Sequence, residues 1–231
     1  MDIPQVRDTV RTVTLHRRKG DALARSGRDL EAKEAYNTAL SLLDEELGRL
    51  GFSVAEPAAQ LPVAEVSVVA DAADLLGMRG GILRRLGLPE EALESYRRGA
   101  DLETSKDLPV TYNRTNAIKL ALIAGDRTIT QVRQELVALH TALERHLSTD
   151  ERAADDAWLW ADIGDVRLLL GDDNGAESAY RAFARKARTD SLSSTLSLLK
   201  QIVNALYAHG DADADRVAAS VHNVEKALRL Y

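Results

Sequence analysis

The sequence is expected to fold as an all-α protein, a right-handed superhelical array of about five antiparallel helix pairs, and three observations predict it. The first is composition. Aromatic residues make up only 4% of the 231 residues, while alanine, leucine and arginine are abundant. Those three have high helix propensity, and sheet-rich domains draw more heavily on β-branched and aromatic residues. The second is a helical period of apolar residues that runs almost end to end. The third is an internal repeat. HRRKGDALARSGRDLEAKEAYNTAL (16–40), LGMRGGILRRLGLPEEALESYRRGA (76–100) and WADIGDVRLLLGDDNGAESAYRAFA (160–184) align on their glycines.

Each copy opens on a glycine (Gly20, Gly80, Gly164), and a second follows seven residues later (Gly27, Gly87, Gly171). An alanine (Ala32, Ala92, Ala176), a tyrosine (Tyr36, Tyr96, Tyr180) and a further core position (Ala39, Gly99, Phe183) complete the pattern. The first glycine and the alanine let two helices approach closely. The second glycine accepts the left-handed backbone that ends a helix. The tyrosines are expected to fill the space between neighbouring repeats.

In chain order, 3–26 and 28–50 form the first expected pair. GFSVAEPAAQLP (51–62) breaks the period with two prolines and a glycine and reads as a loop. Residues 64–86 and 89–104 form the second pair, and Pro109 is placed to open the next helix. Residues 110–124 and 128–147 form a degenerate third pair, which keeps a turn glycine (Gly125) but lacks the other marks. Residues 151–170 and 174–188 form the fourth pair. Residues 191–209 and 212–230 form a last, capping pair around Gly210. The whole of 1–231 is expected to be a single domain.

Several chemistries find no support. RGGILRRLG (79–87) is not a phosphate loop, because no strand precedes it and no Gly-Lys-Ser/Thr ending follows. DADAD (211–215) resembles a calcium loop, but Arg216 and His222 stand where that loop needs glycine and glutamate. These acids, and those of GDDNGAE (171–177), are expected to cap helix N-termini. The five histidines lack helical zinc spacing, and His16, at the place of Trp160 in its repeat, is expected to pack. No cofactor, metal or catalytic residue is expected. The absence of cysteine excludes disulfides and a thiol nucleophile and permits a reducing cytoplasm. The first residues lack the apolar core of a signal peptide, and no apolar run approaches the roughly 20 residues of a membrane span. A net charge of −6 with interspersed signs argues against nucleic acid as the main partner. Arg17-Arg18-Lys19 reads as a solvated helix face. The predominance of arginine over lysine suggests a GC-rich bacterial coding bias.

The glycine, alanine and tyrosine positions resemble the tetratricopeptide repeat, a helix–turn–helix unit. A narrower resemblance, over roughly residues 76–209 by motif order, is to the TRAF-binding-type tetratricopeptide domain of the apoptosis signal-regulating kinases and its bacterial relatives. It rests on Tyr96, Arg97 and Gly99, on Tyr112, Asn116 and the apolar run ending Ala124-Gly125, and on Trp160 with the small residues through Ala179. That resemblance implies a regulatory region for protein contacts. No kinase HRD or DFG motif accompanies it.

A superhelix of this kind would line its concave face with the first helix of each pair. That mapping makes Arg17, Asp21, Arg84, Tyr112, Lys119, Trp158 and Asp165 the partner-binding groove. Trp158 would be the anchor. The carboxylate clamp of chaperone-binding repeats is not expected, since Asp21 and Asp165 stand where asparagine belongs. Asn116 is expected to bond a neighbouring helix or loop. The function expected is a non-catalytic, cytoplasmic protein- or peptide-binding scaffold or regulator. The alternatives are a small-molecule or nucleotide sensor using Asn116, Lys119 and Arg84, an enzyme of unrecognised type, and a self-assembling homo-oligomer that docks through an end pair.

Overall fold

A computed structural model of the chain describes residues 3–52, 65–106, 108, 112–187 and 189–228. Every regular element among them is helical: α1 (Ile3–Arg25), α2 (Asp29–Arg49), α3 (Val66–Leu86), α4 (Pro89–Ser105), α5 (Tyr112–Ala124), α6 (Ile129–Thr149), α7 (Ala157–Leu170), α8 (Asp173–Lys186), α9 (Thr189–Ala208) and α10 (Ala214–Leu228). One 3-10 turn, Ala153–Asp155, precedes α7. No described helix is long and apolar enough to cross a membrane. The expected loop at 51–62 begins at Gly51 and Phe52; the remainder, like Pro109, lies outside the described residues. Contacts gather into two compact units, Met1–Leu108 and Pro109–Tyr231.

In the first unit α1 packs on α2, α2 on α3, and α3 on α4. Gly27, with φ 73°, turns the chain between α1 and α2. Its N–H donates to the Ala24 carbonyl at 3.1 Å, and that of Arg28 to the Leu23 carbonyl at 3.0 Å. This pair of hydrogen bonds is the Schellman closure. Gly87 and Gly171 repeat it at the ends of α3 and α7, with φ 78° and 89°. The core of this unit includes Val13, Ala39, Leu43, Leu47, Ala72, Leu75 and Ile82.

The first glycine of each repeat has a specific steric role. A Cβ at Gly20, Gly80 or Gly164 would come within 3.0 Å of the ring of Tyr36, Tyr96 or Tyr180 respectively. The tyrosine therefore lies on the glycine of its own helix pair. This revises the expectation that it fills space between repeats: the ring occupies the gap that the missing side chain leaves.

The second unit is built differently. α7 and α8 form the glycine–tyrosine pair, α6 packs on α7, and α10 lies against α8, α9 and α7. α5 packs chiefly against α9 and α7, and only slightly against α6. The expected third pair is thus two helices with separate neighbours. Lacking the small residues and the tyrosine, α5 and α6 have no close-approach surface for each other. Both α5 and α7 are buried on nearly all sides.

Candidate functional site

Residues Asp21 and Asp165 follow the close-approach glycines directly, and each accepts a hydrogen bond from the tyrosine of its own pair. Tyr36 Oη donates to Asp21 Oδ1 at 2.9 Å, and Tyr180 Oη donates to Asp165 Oδ1. A cation completes each group. Arg85 Nε, from α3, lies 2.7 Å from Asp21 Oδ1; Lys119 Nζ, from α5, pairs with Asp165 Oδ2. The surroundings differ sharply. The Arg85 and Asp21 side chains keep 27% and 24% of their exposure, those of Lys119 and Asp165 only 6% and 4%. The middle repeat has Gly81 at this place, and its carbonyl accepts from Arg85 Nη1 at 2.8 Å.

Both phenols titrate above the ordinary tyrosine range. Burial pushes Tyr36 up to about 12, aided by the hydrogen bond and charge of Asp21 and opposed by Arg85 and Arg25. Burial also drives Tyr180 well above that range, with the charge of Asp165, its hydrogen bond and the charge of Asp162 acting the same way.

These contacts locate the sequence-predicted groove residues. Lys119 and Asp165 are brought together inside the second unit, bonded to one another. Asp21 is engaged by Tyr36 and Arg85. Arg17, Arg84 and Tyr112 are half-buried. On α7 the other positions that share a helix face with Trp158, namely Ala161, Asp165 and Leu168, are all buried. Only Trp158 opens outward from that helix face, with 49% of its surface exposed. Its ring leans on Phe183 of α8 at a centroid distance of 5.6 Å and an angle of 45°. Asp156 caps α7 and accepts from the Trp158 N–H at 2.8 Å, which fixes the first turn that carries the ring.

A signal for this burial is present in AWLWADIGDVRLLL, whose apolar residues are spread around the circumference with no continuous polar face. Such a helix belongs inside a fold. Asn116 Nδ2 donates to the Tyr112 carbonyl at 2.8 Å, so its partner is the preceding turn of its own helix rather than a neighbour. His16 is half-buried.

Sequence reasoning missed a hub at Arg167. Its Nε donates to His140 Nε2 at 3.1 Å, Nη2 to Glu144 at 2.8 Å and Nη1 to the Gly175 carbonyl at 3.1 Å, which ties α6, α7 and the start of α8. The acids of 211–215 are all engaged within the protein. Asp211 accepts from the Ile129 and Asp213 N–H groups, each at 2.9 Å, and so caps α6 as well as its own turn. Asp213 accepts from Arg216 at 2.8 Å, and Asp215 from Tyr207 at 2.8 Å. Asp172 caps α8 through the Gly175 N–H at 3.0 Å. Among the described residues no group of three or more histidine or acidic side chains is placed to hold a metal ion.

No protein-family model matches the chain, and no curated protein matches it. Among solved structures it is similar to one described as the crystal structure of BtubC (BKLC) from P. vanneervenii. The two share 14% identity at a TM-score of 0.42, over 97% of this chain and 89% of that one.

Proposed function

We propose that the chain is a non-catalytic protein- or peptide-binding scaffold of tetratricopeptide type. Its helix pairs would stack into a right-handed array, and Trp158 would anchor the partner. The observation that carries this reading is the half-exposed Trp158 ring, held in place by Phe183 and by the cap at Asp156. A large, preoriented aromatic surface gives binding area at little entropic cost. The steric pairing of glycine with tyrosine, present three times, supports the repeat assignment. The site is narrower than the full groove, because Lys119 and Asp165 are closed off. Cytoplasmic residence accords with the cysteine-free sequence.

The sensor alternative draws on Asn116 and Lys119, which are buried with partners inside the protein. Self-assembly through the outer face of α10 would favour apolar residues there. The exposed positions are Asp215, Ala219, His222, Asn223 and Lys226.

The test is affinity capture from the native lysate with wild type and Trp158→Ala, followed by binding measurements on the purified partner. An anchor aromatic contributes about 2 kcal/mol or more, some thirtyfold in affinity. A specific protein retained by wild type and lost by the variant is the expected result. Equal retention by both would remove Trp158 from the site.

A further inference from the structure

Helix α1 contains six basic and two acidic side chains in a chain whose formal net charge is −6. One side of it, with Val6, Val13 and Leu23, is buried in the core of the first unit. The opposite side holds Arg11, Leu15, Arg18, Ala22 and Arg25, all exposed, at alternating steps of four and three residues. Leu15 at its centre keeps 58% of its surface. Among the described residues neither Arg11 nor Arg18 forms an ion pair.

Steps of four and three define a seam along one helix face, the spacing with which a second helix interdigitates. Over two heptads the drift of a straight helix is about 40°, small enough for the seam to stay on that face. The seam is about 21 Å long at 1.5 Å per residue. We infer that this face of α1 docks an acidic amphipathic helix of a partner protein. That helix would carry carboxylates at heptad spacing opposite Arg11, Arg18 and Arg25, with apolar residues between them against Leu15 and Ala22. This surface lies on a different helix and unit from Trp158, so it stands or falls separately.

The observations favour a protein helix over other polyanions. The apolar side of α1 is already committed to the core, which leaves Leu15 alone to enter a bilayer, and interfacial helices need a broad apolar face. A nucleic acid tracks continuous basic surface, whereas this seam is interrupted by Leu15 and Ala22 and flanked by Asp8 on the same helix.

The experiment uses the full chain and a synthetic helical peptide with glutamate at three successive heptad positions and leucine between them. A scrambled peptide of equal charge, a 20-base-pair DNA duplex and vesicles of anionic lipid are compared. The heptad peptide should bind at least tenfold more tightly than the scrambled one, and binding should weaken as salt rises. Arg11→Glu/Arg18→Glu should abolish it while circular dichroism and the melting transition are unchanged, since both sites are exposed. Equal binding of the scrambled peptide, tighter binding of DNA or vesicles, or no peptide binding would overturn the proposal. So would self-association of the unliganded chain that the double variant abolishes, because a second copy would then be the occupant.

Discussion

The two aspartate–tyrosine–cation groups are built from the same sequence words, yet they sit in different media. In the first unit Asp21, Tyr36 and Arg85 form a group whose charges still touch water. In the second, Asp165, Tyr180 and Lys119 are enclosed. An exposed ion pair contributes little, because water screens it and both side chains lose freedom. In a buried pair the mutual attraction offsets two desolvation costs, and removing one partner leaves the other stranded. Motif identity therefore does not set energetic weight; enclosure does.

The strongest way to break this comparison is at the cations. Lys119→Met should lower unfolding stability by about 3–5 kcal/mol, read from urea midpoints, and Arg85→Met by about 1 kcal/mol or less. Equal losses would refute the contrast. Removing the whole enclosed group, as Lys119→Met/Asp165→Leu/Tyr180→Phe, should recover most of the loss, since no charge is then left unpaired.

The glycines give the next effect. Gly20→Ala should cost about 1–3 kcal/mol through overpacking against Tyr36. Gly164→Ala should cost less, because its tyrosine atoms lie at 3.0–3.1 Å from the added Cβ. The measurement is thermal unfolding of both variants, and the reverse order would contradict the packing account.

Much of this was legible in advance. The hairpin turns, the close-approach glycines and the tyrosines all follow from local rules that a spacing pattern carries. The failures share one cause. Lys119 and Asp165 are 46 residues apart in sequence, and no periodicity announces which helix will cover a charged residue. The helical pattern alone places Lys119 and Asp165 on an open groove, whereas they face each other inside. Pairing α5 with α6 failed in the same way, since adjacency in sequence stood in for a packing surface that neither helix has.

A finer contrast concerns pH. A phenol whose folded-state pKa is raised stabilises the fold fully below the ordinary tyrosine value of 10. That contribution is lost as pH rises through the folded value. Stability should fall from about pH 10 upward. For Tyr36 the loss should be complete near pH 12, where its folded value lies; Tyr180, also raised, should lose its contribution in the same direction. Urea titrations across this range should show that Tyr36→Phe and Tyr180→Phe each flatten the slope. The smallest effect is expected at Gly81, where a side chain has room, with Tyr96 Oη at 3.6 Å. Gly81→Asp would add the carboxylate that the middle repeat lacks, and should raise stability by roughly 0.3 kcal/mol from helix propensity, since aspartate ranks only slightly above glycine.

The bond from Asp211 to the Ile129 amide spans 82 residues, and Arg216 reaches back 48 to the Leu168 carbonyl. The first unit has a long-range bond of its own, Arg85 to Asp21 across 64 residues, but its helices meet chiefly their neighbours in sequence, and that bond is complete once α3 has emerged. Contacts between distant segments slow folding, because the intervening loop must close first. On the ribosome the first unit can settle as it emerges. The second must wait with α5 and α7 uncovered until its final helices arrive, and a chain cut before α9 would leave that apolar surface for chaperones and proteases to find.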